Sequence, residues 1–157
     1  MKFKLKLVAA AACALAVGGA VFAATGASAA TRAVRCDNDA TEVQTCASLD
    51  VVGDKVKATG FIRDLDGGRN WLVDVRRVEL QYNKGQGWVT IGSVYDVGFK
   101  DDQDGMITGA KSCPGHGTAQ FRARAFMAYK VVGSSMEPIR ETWYSHTYGA
   151  PCELADW

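Results

Sequence analysis

Beyond residue 55 apolar side chains recur at every second position between breaks rich in glycine and aspartate. That is the period of a half-buried strand, and no amphipathic helix pattern competes with it. Val56, Ala58, Gly60 and Ile62 alternate with Lys57, Thr59, Phe61 and Arg63 until Asp64-Leu65-Asp66-Gly67-Gly68 interrupts, as turn residues do. Trp71, Val73 and Val75 resume the pattern. Val78, Leu80 and Tyr82 then share one face while Glu79, Gln81 and Asn83 take the other, and Lys84-Gly85-Gln86-Gly87 leads into Trp88-Val89-Thr90-Ile91 as a hairpin with a glycine-rich loop. Phe121, Ala123, Ala125, Met127 and Tyr129 alternate with Arg122, Arg124, Phe126 and Ala128, and a last strand is expected from Glu141 to Tyr148. About seven strands spaced by turns predict an all-β fold, a single antiparallel β-sandwich.

The first 29 residues read differently. Lys2, Lys4 and Lys6 make a charged start, Leu5 to Phe22 is an almost unbroken apolar run rich in alanine, and Ala27-Ser28-Ala29 has the form of a peptidase site. Residues 1–29 are therefore expected to be a cleaved signal peptide of bacterial character, and residues 30–157 a secreted, extracellular domain with no membrane contact after cleavage. Cleavage leaves 128 of the 157 residues, enough for one core and not two. It also removes three lysines and no acidic residue, so fifteen basic side chains face seventeen acidic ones, a net charge of −2. The remaining basic groups come in short pairs such as Arg76-Arg77, not in the clustered footprint that phosphate neutralisation needs, which argues against nucleic acid as a partner.

Four cysteines follow the signal: Cys36, Cys46, Cys113 and Cys152. An even number in an oxidising compartment predicts two disulfides, and of three possible pairings Cys36 with Cys46 and Cys113 with Cys152 is favoured. The first closes a short polar segment and the second ties the C-terminus to the body; in the chain-entropy model they contribute roughly 3 and 4 kcal/mol.

Val78-Glu79-Leu80-Gln81-Tyr82 with Trp88-Val89-Thr90-Ile91-Gly92, and then Ala119-Gln120-Phe121-Arg122-Ala123-Arg124-Ala125, resembles the central hairpin and penultimate strand of fibronectin type III and immunoglobulin-like sandwiches. The resemblance spans about half of the 128 residues and lacks the inter-sheet cysteine pair of antibody-type domains. It implies a fold and, by analogy, an adhesive or binding role, and it assigns no functional residue.

Candidate chemistry is sparse. Cys113, His116, His146 and Cys152 would suit tetrahedral zinc, but secretion favours an oxidised pair with the histidines merely nearby. Asp101-Asp102-Gln103-Asp104-Gly105 resembles part of a calcium loop; too few oxygens follow, so a plain turn is expected, with weak calcium binding at Asp102 and Asp104 as the alternative. Alternation puts Tyr144, His146 and Tyr148 on one face of the last strand and Trp143 on the other, so the tyrosine face is a candidate for stacking on sugars or a protein. Phe126, set among outward-facing arginines, is a second candidate.

No catalytic arrangement emerges, and no cofactor is called for. The expected function is a non-catalytic extracellular binding or structural module for a glycan, cell-wall or protein ligand, with Tyr144, His146, Tyr148 and His116 as speculative contacts. One alternative is a secreted serine-proteinase inhibitor presenting the Cys113-Pro114 loop, where Gly115 would offer the protease no side chain. A small secreted hydrolase is the other.

Overall fold

A computed structural model describes residues 30–38, 42–52, 55–65, 70–113 and 117–152, with backbone alone at 30–32, 38, 52, 151 and 152. The described chain forms ten strands: β1 (Ala30–Asn38), β2 (Val43–Val52), β3 (Lys55–Asp64), β4 (Trp71–Asn83), β5 (Val89–Tyr95), β6 (Lys100–Asp101), β7 (Gln103–Ile107), β8 (Gly117–Val131), β9 (Ile139–Tyr144) and β10 (Tyr148–Cys152). One antiparallel sheet runs β1-β2-β3-β7; the second runs β10-β8-β4-β5, with β6 also on β4 and β9 also on β8. Among the described residues no helix is long and apolar enough to cross a membrane.

The expected alternation is realised where it is longest. Phe121, Ala123, Ala125, Met127 and Tyr129 on β8 are buried, as are Val56, Ala58 and Ile62 on β3, and together with Leu49, Val73, Val75, Val78 and Leu80 they make one core shared by both sheets. The sheets come close together at Gly60, which is buried at mid-strand. A Cβ there would lie 2.7 Å from Val78 Cγ2, 2.9 Å from Ala125 Cβ and 3.2 Å from Val75 Cγ1, so only glycine fits.

β4 is one strand with two phases. Val73 and Val75 point inward, then the register against β8 slips between Val75 and Arg77, and Val78 and Leu80 point inward in turn. The residue absorbed is Arg76, a bulge that puts Arg76 and Arg77 together on the outer side. The outer edge of β4 is bare here, because β5 pairs from Arg77 onward and β6 only with Leu72 and Val73. Its backbone is satisfied otherwise: the Val75 N–H donates to Asp104 Oδ2 at 2.7 Å and the Arg76 carbonyl accepts from the Asp96 N–H at 3.3 Å.

Ten strands stand where about seven are expected. The additional strands are the β1–β2 hairpin and, where a plain turn is expected at residues 101–105, the two-residue β6 and the strand β7; a break divides the last expected strand, and β4 joins two expected segments into one. Cys36 and Cys46 face each other across β1 and β2 and are disulfide-bonded, with Cα atoms 4.1 Å apart. That bond staples neighbours within one sheet on its solvent side. Cys113 is buried and also disulfide-bonded, which removes the thiolate that zinc would need. The Cys152 side chain, and with it the expected Cys113–Cys152 pairing, lies outside the described residues.

Candidate functional site

The outer face of the six-stranded sheet carries a continuous arrangement of arginines and aromatic rings. β8 supplies Arg122, Arg124 and Phe126 because its other parity fills the core; β4 supplies Arg77, Glu79 and Gln81 directly opposite them, in the pairs Arg77↔Phe126, Glu79↔Arg124 and Gln81↔Arg122. β9 adds Tyr144 opposite Arg124, β5 ends at Tyr95 opposite Arg77, and Trp88 comes from the hairpin loop. That loop is held by Asn83 Oδ1, which accepts from the N–H groups of Gly85 at 2.7 Å and Gly87 at 3.2 Å, both at positive φ.

The guanidiniums sit over the rings in sequence. Arg122 lies 4.1 Å from the Trp88 centroid and 4.5 Å from Tyr144, Arg124 5.7 Å from Tyr144 and 4.4 Å from Phe126, and Arg77 5.3 Å from Phe126 and 4.8 Å from Tyr95. Such contacts each contribute about 0.5–1 kcal/mol at exposed sites and more when water is excluded. Burial lowers the Arg122 pKa; the Tyr144 phenol opposes that shift and neighbouring Arg124 adds to it. Arg122 stays a cation at any physiological pH.

Beneath this layer Glu79 is 2% exposed. Its carboxylate pairs with Arg77 and, at 3.7 Å, with Arg124, and it accepts from Gln81 Nε2 at 3.0 Å. Gln81 Oε1 in turn accepts from Arg122 Nε at 2.9 Å. One buried acid thus orients the arginines of two strands, and its charge falls short of theirs.

The stack ends in an open depression of about 340 Å³ whose walls include Arg76, Arg77, Arg140, Tyr95, Val97 and Phe126. Arg76 and Arg140 have only loose acidic partners, Asp74 at 3.7 Å and Glu137 at 3.9 Å. Glu141 also borders the depression, but its two oxygens accept from Tyr129 Oη and Trp143 Nε1, each at 2.7 Å. Guanidinium forks around an apolar floor are suited to holding a carboxylate, sulfate or phosphate borne on an apolar body.

The sequence-derived candidates fall in separate places. Tyr144 lies on the outer face, but Tyr148 pairs with Phe121 and packs against the core, because the strand breaks at Ser145–Thr147. At that break Ser145 Oγ accepts the Ala123 N–H at 2.9 Å and the Ser145 N–H donates to the Ala123 carbonyl at 3.1 Å. His146 is exposed in the same connection. The Tyr144 ring is already covered by guanidinium, so it offers little bare face to a sugar. Asp104 is committed to the Val75 N–H, and Asp102 acts through its backbone, at φ 79°, with its carbonyl accepting the Asp64 N–H at 2.7 Å. Among the described residues no group of three or more His, Cys, Asp or Glu side chains converges as a metal site. His116 and Pro114 lie outside the described residues.

Phe126 among outward arginines is the candidate the geometry enlarges; the alternation of β8 already signals it. Arg76, Arg140 and Tyr95 carried no signal of their own, since their juxtaposition needs the bulge and two further strands. No family model, curated protein or solved structure matches the chain.

Proposed function

We propose that the chain is a non-catalytic extracellular binding module, exported by the segment of residues 1–29, that engages its ligand through the outer face of the six-stranded sheet. The supporting observation is the arginine–aromatic stack running from Trp88 to Tyr95, which faces solvent while the opposite parity of the same strands fills the core. A face so ordered and so little needed for burial is the ordinary form of an interaction surface on a sandwich. The β4–β5 hairpin beside β8, facing β2-β3-β7, supports an immunoglobulin- or fibronectin-like reading of the two sheets.

The test is a binding screen of the secreted protein against immobilised extracellular polysaccharides and cell-wall fractions. The variants Arg122→Ala and Arg124→Ala, both on the outer layer, are expected to weaken capture about tenfold or more with unchanged circular dichroism. Capture that survives both, and is lost instead on changing the outer face of the four-stranded sheet, would move the site elsewhere.

A further inference from the structure

Five arginines, Arg76, Arg77, Arg122, Arg124 and Arg140, lie on or beside one face of a chain whose exported form carries a net charge of −2. Positive charge is therefore segregated there against the average of the molecule. Of the acids beside them, Glu79 and Asp74 are each 2% exposed and lie under the layer, Glu141 on the rim is engaged by Tyr129 and Trp143, and exposed Glu137 stands 3.9 Å from Arg140, so the five guanidiniums still outnumber the acids. The surface that a ligand meets is cationic, and charge complementarity selects an anion.

The depression narrows the class. Arg76 and Arg140 stand 3.7 and 3.9 Å from their carboxylate partners, beyond hydrogen-bond reach, so these contacts leave their donor forks available. Arg140 is a surface pair of the kind that contributes little to stability. The same depression is lined by Phe126, Val97 and Tyr95, the last 62% exposed. At about 340 Å³ the space is at the small end of ligand sites, the scale of one residue of a chain and not of a whole cofactor. An exposed ring beside a guanidinium fork matches a pyranose that carries a carboxylate, since its C–H face stacks on the ring and its anion meets the fork.

The rest of the face extends the match. Arg122 and Arg124 are two residues apart on β8, about 7 Å, so cations recur along the sheet beyond the depression. The backbone of β8 and β4 is paired within the sheet, so an extended peptide lying on this face would find no main-chain partners, which is how peptides are ordinarily held. A polysaccharide asks for none.

We infer that the depression bordered by Arg76, Arg140 and Tyr95 binds a carboxylated sugar residue of a linear acidic polysaccharide, whose further carboxylates follow Arg77, Arg124 and Arg122 along the sheet. This rests on the binding role proposed above and names its ligand class.

Titration calorimetry of the full secreted protein is run against three probes: a size-defined oligogalacturonide, the same oligosaccharide with its carboxyl groups reduced to alcohols, and a poly-glutamate peptide of equal charge. The carboxylated sugar is expected to bind, to weaken at least tenfold when salt rises from 50 to 500 mM, and to weaken at least tenfold in Arg140→Ala. Tyr95→Ala, at an exposed edge position, is expected to weaken it as well and serves should the arginine variant fold poorly. Equal binding of the reduced sugar would overturn anion recognition while leaving the binding role intact. Preference for poly-glutamate would overturn the sugar and make the partner an acidic protein. No binding of any probe, with the cell-wall screen still positive, would overturn this inference alone; both negative would remove the binding role too.

Discussion

Single residues on this scaffold are constrained for reasons that lie two strands away. Gly60 is the clearest, because its missing Cβ is what lets β3 approach Val75, Val78 and Ala125. Gly60→Ala is expected to destabilise by about 1–3 kcal/mol through overpacking, and Val78→Ala in the same chain should recover part of the loss; urea unfolding of the two variants decides, and additive losses would refute the contact. Asp74 is the second case. It is buried on β4, its Oδ1 has no hydrogen-bond partner among the described residues, and its pKa is raised, by burial first and then by Asp104 and Asp96 against the Gly98 N–H and Arg76. A carboxyl group raised in the folded state binds protons more readily there than in the unfolded chain, so its ionisation opposes folding, and stability falls as pH climbs from the ordinary value through the raised one. Asp74→Asn is expected to melt higher than the parent at pH 7, with the gap closing toward pH 4; a gap that is constant with pH would mean the carboxyl does not titrate in that window.

Elements are held by devices that alternation does not announce. Glu79 ties β4 to β8 through Arg124 and pairs with Arg77 on its own strand; both arginines remain about one-third exposed, so removing it should cost less than the roughly 3–5 kcal/mol of a wholly buried pair. Glu79→Ala is expected to lose about 2 kcal/mol in chemical denaturation and to leave β8 amides less protected from exchange; a loss below about 0.5 kcal/mol would show that the stacking alone orders the layer. β1 is an edge strand fastened by Cys36–Cys46 across a separation of ten residues. Replacing both by serine should cost up to about 3 kcal/mol in the loop-entropy account, with new exchange confined to β1 and β2. Deprotection spreading into β4 would mean that this hairpin supports the whole core.

Across the described residues, the two sheets share one set of buried side chains. Unfolding should therefore be a single transition, with the far-ultraviolet dichroism of the strands and the fluorescence of Trp71 and Trp143 changing together. Separated midpoints would show that the four-stranded sheet melts away from its partner. The same sharing explains why one parity of β8 is apolar and the other is free to carry Arg122, Arg124 and Phe126: the core has no use for that side, and the outer layer is ordered by its own charges and rings.

Period-two alternation was enough to identify β3, β4, β5 and β8 and to assign the inward side of β3 and β8, and the short polar segment between Cys36 and Cys46 was enough to pair them, because these depend on neighbours along the chain or one hairpin away. Alternation misplaced Tyr148 relative to Tyr144, since a break at Ser145 shifts the phase by one residue and nothing local marks it. It described Val75 and Val78 correctly on either side of Arg76 without showing that one bulged strand contains both. Which arginines meet which rings, that Glu79 is buried among them, and that Arg76, Arg140 and Tyr95 surround one depression were decided by tertiary structure alone. Those contacts join β4, β5, β8 and β9, and a side-chain period carries no information about which strand will be set beside it.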